Sequence, residues 1–218
     1  MTMPYLTQEY NRPKATMHLI IINVIVYLAT MINYEFMVGT FALWPPVTTG
    51  LFRTWQPISY MFMHGSFWHI FFNMYSLYLF GSAVERKIGT GRFLLLYFAA
   101  GLGAAALHVG VQILSGSYVP TVGASGSVYG LIVAFAMLFP QARMMLLFPP
   151  IPMSAKWMAI IFIGLELFTG ITGTMDGVAH FAHLGGALVG FILIWLWYKR
   201  RRRTDSFNQN NFYDTGRY

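Results

Sequence analysis

Apolar runs of about 20 residues recur along the whole chain, and they constrain its fold more than any other feature. Such runs are long enough to cross a hydrocarbon core about 30 Å thick. Only 10% of the 218 residues are charged, against about 25% in a typical soluble domain. The sequence therefore predicts an all-α, polytopic membrane protein with six transmembrane helices. The six segments run approximately over His18–Met37, Pro57–Ser82, Phe93–Leu114, Ser125–Phe139, Trp157–Ile171 and Gly177–Tyr198.

The positions of the cations predict how the chain lies in the membrane. All of the Lys and Arg residues except Arg53 fall on one side of the six-span arrangement. By the positive-inside rule that side is the cytoplasm, with both termini there. The net charge of +7 does not indicate a nucleic-acid partner, because five cations are concentrated in Lys199–Arg203 directly after the sixth segment. Such runs usually anchor a helix at anionic lipid, so the predicted partner is the bilayer.

Three regions follow from this arrangement. Residues 1–16 are predicted to be a cytoplasmic segment, residues 17–198 the six-helix membrane domain, and residues 199–218 a basic and then polar, disordered tail. The first apolar segment is interpreted as an uncleaved signal anchor. The loop from Met37 to Gln56, which contains Trp44 and Trp55, is expected to lie in the membrane interface. The short core favours a bacterial cytoplasmic (inner) membrane.

Polar side chains at membrane depth are costly, and here they cluster. Counting about 15 residues from Ser125 to the cytoplasmic end of its segment places this hydroxyl roughly 22 Å above that end. The same count of about 16 residues places His183 and His69 roughly 24 Å up. The fourth segment is too short to span, so its start requires a wet cavity that opens outward. Further polar residues in these segments are His64, Asn73 and His180.

Helical spacing brings these residues onto shared faces. His69 and Asn73 are four residues apart, as are Ser125 and Tyr129, so each pair lies on one helix face. Small residues with the same spacing let two helix backbones approach closely. If the fourth and sixth segments pack through such faces, Ser125 and His183 come within reach of each other. The two glycine pairs are Gly126 with Gly130, and Gly186 with Gly190.

This constellation predicts nucleophilic acyl transfer. A serine hydroxyl needs a neighbouring base, and His183 can take the proton of Ser125 and later protonate the leaving amine. His69, Asn73 and the Ser125 amide are donors suited to an oxyanion hole, and Gly123 leaves room for a carbonyl near the backbone. A dyad is predicted rather than a triad, because Asp176 lies in an outer loop and Glu166 has no evident link to the site. Tyr129 is expected to stack on His183 instead.

The motifs resemble those of the rhomboid family of intramembrane serine proteases, over about residues 17–198. The resemblance implies Ser125 as nucleophile, His183 as general base, and His69 and Asn73 in the oxyanion hole. It implies that Tyr129 packs on the catalytic histidine and that the fifth helix and outer loops gate lateral access of transmembrane protein substrates. The matching stretches are Gly123-Ala124-Ser125-Gly126, His69-x-x-x-Asn73, Ala182-His183-x-x-Gly186-x-x-x-Gly190 and Glu85-Arg86-Lys87-x-Gly89-x-Gly91.

Other interpretations stay open at this point. Alone, Ser125 could be a helix N-cap, and His180 a helix-bonding residue or part of the cavity wall. His64 and His108 are expected to face water or headgroups. A haem protein would leave the Ser125 motif without a task, and a zinc protease lacks the Glu of His-Glu-x-x-His. The main alternative is a non-catalytic rhomboid-like protein that binds or escorts membrane proteins. No metal and no cofactor are predicted, and the sequence does not predict the oligomeric state.

Overall fold

The fold is described from a computed structural model of the chain, which describes residues 13–47, 50–145, 150–173 and 179–214, without side chains at 179 and 201–214. The N-terminal helices are α1 (Lys14–Ile32), α2 (Tyr34–Phe41), α3 (Gln56–Ser59), a 3-10 helix (Tyr60–Phe62), α4 (Phe67–Ser76), a π-helical turn (Leu77–Gly81) and α5 (Ser82–Ile88). The C-terminal helices are α6 (Thr90–Ser115), α7 (Ser125–Leu138), α8 (Ala155–Thr172) and α9 (Ala179–Asp214). A small antiparallel hairpin pairs β1 (Arg143–Met145) with β2 (Pro152–Ser154).

Four of these helices are long and apolar enough to cross a membrane. They are α1, α6, α8 and the part of α9 from His180 to Arg200. The shorter α7 is apolar as well, and α4, the π-helical turn and α5 follow one another without a break. The prediction of an all-α, polytopic integral membrane protein is therefore confirmed, while the count of six spans stays a prediction.

Helix α7 is largely buried in the bundle and packs against both α6 and α9, which also pack against each other. Nearly all of its residues from Gly126 to Ala136 are buried, which explains why it is apolar all round rather than on one face. Its glycine face meets that of α9: a Cβ added to Gly186 would lie 1.9 Å from the carbonyl oxygen of Gly126. A Cβ added to Gly190 would lie 2.5 Å from the carbonyl oxygen of Gly130. The two backbones are thus in direct contact, as small-residue faces allow.

The end of the bundle opposite Ser125, where α7 ends, carries contacts between cations and aromatic rings. The Lys87 ammonium lies 5.9 Å from the Phe139 ring, and the Arg92 guanidinium lies 5.9 Å from the Trp197 ring. These cation–π contacts join ends of α5, α6, α7 and α9. The segment ends that the charge pattern assigns to the cytoplasm are therefore neighbours in the fold.

Glu85 of α5 binds the start of α1 through hydrogen bonds. Its carboxylate accepts hydrogen bonds from the amides of Ala15 (3.0 Å) and Thr16 (2.8 Å), and from the hydroxyls of Thr16 (2.7 Å) and Thr90 (2.8 Å). Burial opposes ionisation of Glu85, but these donors outweigh it and hold the pKa of the carboxyl below its usual value. A negative charge at a helix N-terminus also interacts favourably with the helix dipole.

One prediction of local structure differs from the fold, and one element was not predicted. The second segment is interrupted, because Ser66 caps α4 by accepting a hydrogen bond from the His69 amide (3.2 Å), and the helix begins only at Phe67. Helix α9 runs on to Asp214 through residues 199–214, a stretch without Gly or Pro, and the predicted disorder of the tail stays a prediction. The β1–β2 hairpin was not predicted. Of the predicted cytoplasmic segment at residues 1–16, residues 1–12 lie outside the described residues.

Candidate active site

A cavity of about 400 Å³ lies between α4, α7 and α9. Polar groups from three separate parts of the chain line it together with aromatic rings. A pocket with a few convergent polar groups among apolar walls is typical of binding and catalytic sites. Its main lining residues are Tyr60, Trp68, His69, Asn73, Ser125 and His183.

Ser125 and His183 meet in this cavity. The Ser125 hydroxyl and the Nε2 atom of His183 are 2.9 Å apart, within hydrogen-bond distance. Ser125 is the first residue of α7, and the N-cap position belongs to Ala124. Its side chain therefore faces the imidazole and does not serve as the helix cap that the residue alone would suggest. The glycine contacts between α7 and α9 hold the two side chains at this distance.

The segment before Ser125 is fixed by backbone pairing. Thr121 and Leu43 form an antiparallel bridge with two hydrogen bonds of 2.9 Å, and the Gly123 amide donates to the Tyr60 carbonyl (2.9 Å). Gly123 has φ +131°, where a side chain would be strained, and an added Cβ would lie 2.8 Å from Nε2 of His69. Glycine is therefore required here both by the backbone conformation and by the adjacent histidine ring.

The predicted oxyanion donors face the same cavity. The Asn73 side chain is buried and donates one N–H to the His69 carbonyl (2.8 Å), a bond within its own helix. An amide has two N–H donors, so the second is free in principle for a substrate oxygen. His69 packs edge-on against His64, with ring centroids 4.9 Å apart. The Ser125 amide lies in the first turn of α7, where backbone N–H groups have no acceptor within the helix.

Glu166 contacts the histidine pair, so the prediction that it has no link to the site is wrong. Its Oε1 atom lies 2.9 Å from Nδ1 of His183, and its Oε2 atom lies 2.6 Å from Nδ1 of His180. The Tyr129 hydroxyl also donates to Oε1. The Tyr129 ring stacks on the His183 ring as the spacing suggested, with centroids 4.3 Å apart and planes at 8°. An acidic residue therefore lies behind His183, on the side away from Ser125.

The depth count explains why this residue was missed. Glu166 lies ten residues from Lys156, or roughly 15 Å along α8, whereas His183 was placed roughly 24 Å from its own cytoplasmic end. The count treats helices as parallel rods and ignores tilt and side-chain length. A more general signal was present, because an ionisable residue within an apolar segment is a candidate functional residue by default. The predicted outer-loop position of Asp176 lies outside the described residues.

The other histidines are placed differently from the predictions. His64 and His108 are buried rather than facing water or headgroups, with 1% and 3% of their surfaces exposed. His64 lies in the non-helical link before α4, and His108 contacts the Thr121 hydroxyl. His180 lies between Glu166 and the Thr169 hydroxyl, which is 3.1 Å from its Nδ1 atom. His180 therefore joins α9 to α8.

Glu166, His180 and His183 could also hold a metal ion. One ligand atom from each of them lies within 4.8 Å of the others. A carboxylate with two imidazoles is a donor set that suits zinc. Glu166 would be a metal ligand in this set, whereas the Glu of a His-Glu-x-x-His motif is a general base. The same short contacts also arise when a carboxylate pairs directly with two histidines and no metal is bound.

Comparison with known proteins gives one family and several named relatives. A family model described as the Rhomboid domain matches residues 51–200, which is more than half of the chain. Rhomboid protein 1, mitochondrial, of Saccharomyces cerevisiae is 29% identical over 136 residues, covering 62% of this chain and 39% of that protein. Presenilin-associated rhomboid-like protein, mitochondrial, of Homo sapiens is 30% identical over 137 residues, covering 63% and 35%.

A third relative has a chloroplast name. Rhomboid-like protein 11, chloroplastic, of Arabidopsis thaliana is 31% identical over 169 residues, covering 66% of this chain and 53% of that protein. The match thus spans between about a third and about half of the length of these relatives. All three names are organellar, which does not favour the bacterial membrane that we predicted. The four helices that are long and apolar enough to cross a membrane indicate that the protein is integral to a membrane.

Proposed function

The chain belongs to the rhomboid family, and on that premise we propose that it is an intramembrane serine endopeptidase. Its substrates are transmembrane proteins, which it cuts in or near their membrane-spanning segments. The observation that carries the proposal is the 2.9 Å contact between the Ser125 hydroxyl and Nε2 of His183 within a cavity. Family membership supports a protease-like fold, and this contact supports the chemistry.

Acylation begins at Ser125. Its Oγ atom attacks the carbonyl carbon of the scissile bond while Nε2 of His183 takes the hydroxyl proton. Negative charge then develops on the substrate carbonyl oxygen, where the Ser125 amide and the side chains of His69 and Asn73 are the available donors. The tetrahedral intermediate collapses as the C–N bond breaks, and His183 passes its proton to the leaving amine. The acyl group remains on Ser125 as an ester.

Hydrolysis of the ester repeats these steps with water. His183 takes a proton from the water as its oxygen attacks the ester carbonyl, and then returns the proton to Oγ of Ser125 as the acid product leaves. The step requires a wet cavity at this depth, and the polar lining contributed by His69, Asn73 and Ser125 suits one. The Tyr129 ring, stacked on His183, limits the positions that the imidazole can take.

Two other functions have an observation in their favour. The Glu166–His180–His183 cluster favours a zinc hydrolase, but a metal on Nδ1 of His183 would leave its Nε2 protonated and unable to accept the Ser125 proton. The match to the Rhomboid domain also fits a rhomboid-like protein that binds or escorts membrane proteins. Such a protein would have no use for a paired hydroxyl and imidazole.

The test is cleavage of single-span reporter proteins by the purified full chain in detergent or liposomes. Wild-type protein is expected to cut within or beside the reporter's transmembrane segment. Ser125→Ala and His183→Ala should abolish the cut, and Ser115→Ala, which alters a serine at the end of α6, should not. Cleavage that persists in either of the first two variants would overturn the assignment. Loss of wild-type cleavage with a chelator would favour the zinc hydrolase, and binding without cleavage would favour the escort function.

A further inference from the structure

Glu166 is an acidic residue within an apolar spanning helix, and the Ser–His chemistry does not use it. An ionised carboxylate is costly at membrane depth unless other groups satisfy it. Here three groups do: Tyr129 contacts one oxygen, His180 the other, and His183 the first. The Glu166 side chain is only 12% exposed. With both oxygens engaged, the carboxylate has a fixed orientation towards the back of the His183 ring.

The tautomer of His183 decides whether it can act as a base. A neutral imidazole carries its proton on one nitrogen and a lone pair on the other. A carboxylate beside Nδ1 favours the proton there and leaves the lone pair on Nε2, which faces the Ser125 hydroxyl at 2.9 Å. The opposite tautomer would direct an N–H at Ser125 and could not take its proton.

We infer that Glu166 is a positioning residue that selects this tautomer and orients His183, so that the site works as a Ser–His–Glu group rather than a dyad. The inference rests on the proposed function. His183 is then held from three sides, by Ser125 at Nε2, Glu166 at Nδ1 and the Tyr129 ring on its face. The Nδ1–Oε1 approach is in ion-pair range, although it lacks the alignment of a full hydrogen bond. Such contacts often tighten only when substrate binds.

A purely structural link between α8 and α9 is the competing explanation, because His180 and Glu166 join the same two helices. The two explanations differ in what Glu166→Gln changes. A structural link predicts loss of folded protein, with normal reactivity of the molecules that remain folded. A positioning role predicts normal folding with a slower reaction, because a glutamine amide can donate to Nδ1 and so favours the wrong tautomer.

The first measurement is the rate at which a fluorophosphonate reacts with Ser125, in folded wild-type protein and variants. In this reaction Oγ displaces fluoride from phosphorus as His183 takes the proton, so no peptide substrate is needed. Glu166→Gln should lower the rate roughly 10- to 100-fold, since hydrogen bonds to charged groups contribute about that factor. Glu166→Asp keeps the charge and should recover part of the rate.

The matched control is Glu85→Gln, which removes another buried carboxylate that is distant in sequence and binds α1 and α6 instead of His183. It should lower the thermal unfolding midpoint yet keep the wild-type rate per folded molecule. The second measurement is 15N NMR of the histidine side chains, with His183→Ala assigning the signal. Wild-type His183 should carry its proton on Nδ1, and Glu166→Gln should shift the population towards Nε2.

Each outcome decides one claim. Equal fluorophosphonate rates in wild type and Glu166→Gln, or an unchanged His183 tautomer, would overturn the positioning role. A rate loss that Glu85→Gln reproduces would mean that stability, and not orientation, is being measured. Wild-type protein that reacts at Ser125 with the predicted Glu166 dependence but cuts no reporter would overturn the protease function while keeping the positioning role.

Discussion

Gly186→Ala is expected to separate the nucleophile from its base without altering either residue. Gly186 lies three residues after His183, where α9 touches α7. An added Cβ would be 1.9 Å from the Gly126 carbonyl oxygen, whereas ordinary contact begins at 3.4 Å. The two backbones must therefore move apart by roughly 1.5 Å at this point. The atom in the way belongs to a backbone, so a change of side-chain rotamer cannot relieve the clash.

The expected effect follows from these distances. Overpacking of this kind costs about 1–3 kcal/mol of stability. A misplacement of about 1 Å in a catalytic pair costs about 100-fold in rate, and the Ser125–His183 contact is only 2.9 Å long. We therefore expect the rate of fluorophosphonate labelling per folded molecule to fall about 100-fold or more. The thermal unfolding midpoint should fall as well.

Gly110→Ala is the matched control. Gly110 lies within α6, and an added Cβ would meet nothing within 4 Å. The same substitution there should keep the labelling rate and should keep or raise the unfolding midpoint, because alanine favours helix over glycine. If Gly186→Ala labels as fast as Gly110→Ala, close contact of α7 and α9 is not what holds Ser125 against His183, and this reasoning fails.

Three further predictions concern two residues of the site and Glu85, which binds the start of α1. Glu85→Gln should destabilise the protein by about 2 kcal/mol at neutral pH, because charged hydrogen bonds are lost. Since the folded-state pKa of Glu85 lies below the ordinary value of 4.5, this contribution is present above that pH and lost as the pH falls through the folded-state pKa. Unfolding midpoints of wild type and variant should therefore converge on acidification, and a constant difference would contradict the assignment. Tyr129→Phe keeps the ring on His183 and should slow cleavage less than Tyr129→Ala, which loses stacking worth about 0.5–1.5 kcal/mol; equal rates would refute the role of the ring. Asn73→Ala should lower kcat about 100-fold if its amide binds the oxyanion, and a change confined to KM would assign it to substrate binding instead.

The bundle was predictable because its strongest signals are local. Apolar length and the positions of Lys and Arg indicate a polytopic, all-α chain. The spacing of Gly126, Gly130, Gly186 and Gly190 indicates which two helices touch, since only small residues permit such contact. The proximity of Ser125 to His183 follows from those glycines, because each of the two residues lies within one helical turn of a glycine contact.

Two features that were missed are the contact of Glu166 with His183 and the interruption of the second segment before α4. Glu166 contacts His183 although the two lie at different counts from their helix ends, because residue counts contain neither the tilt of a helix nor the length of a side chain. The interruption before α4 falls at His64–Ser66, where a histidine, a glycine and the Ser66 cap stand within the predicted second segment. The burial of His64 follows from that interruption, since the chain turns inward at the non-helical link.

The central claim is that His183 activates Ser125 at membrane depth. It is tested most directly by mapping the site of fluorophosphonate attachment in the intact, purified protein by mass spectrometry. We expect one adduct, on the peptide that contains Ser125, and its disappearance in His183→Ala at equal amounts of folded protein. An adduct on a different residue, or an adduct on Ser125 that forms equally fast without His183, would contradict the account.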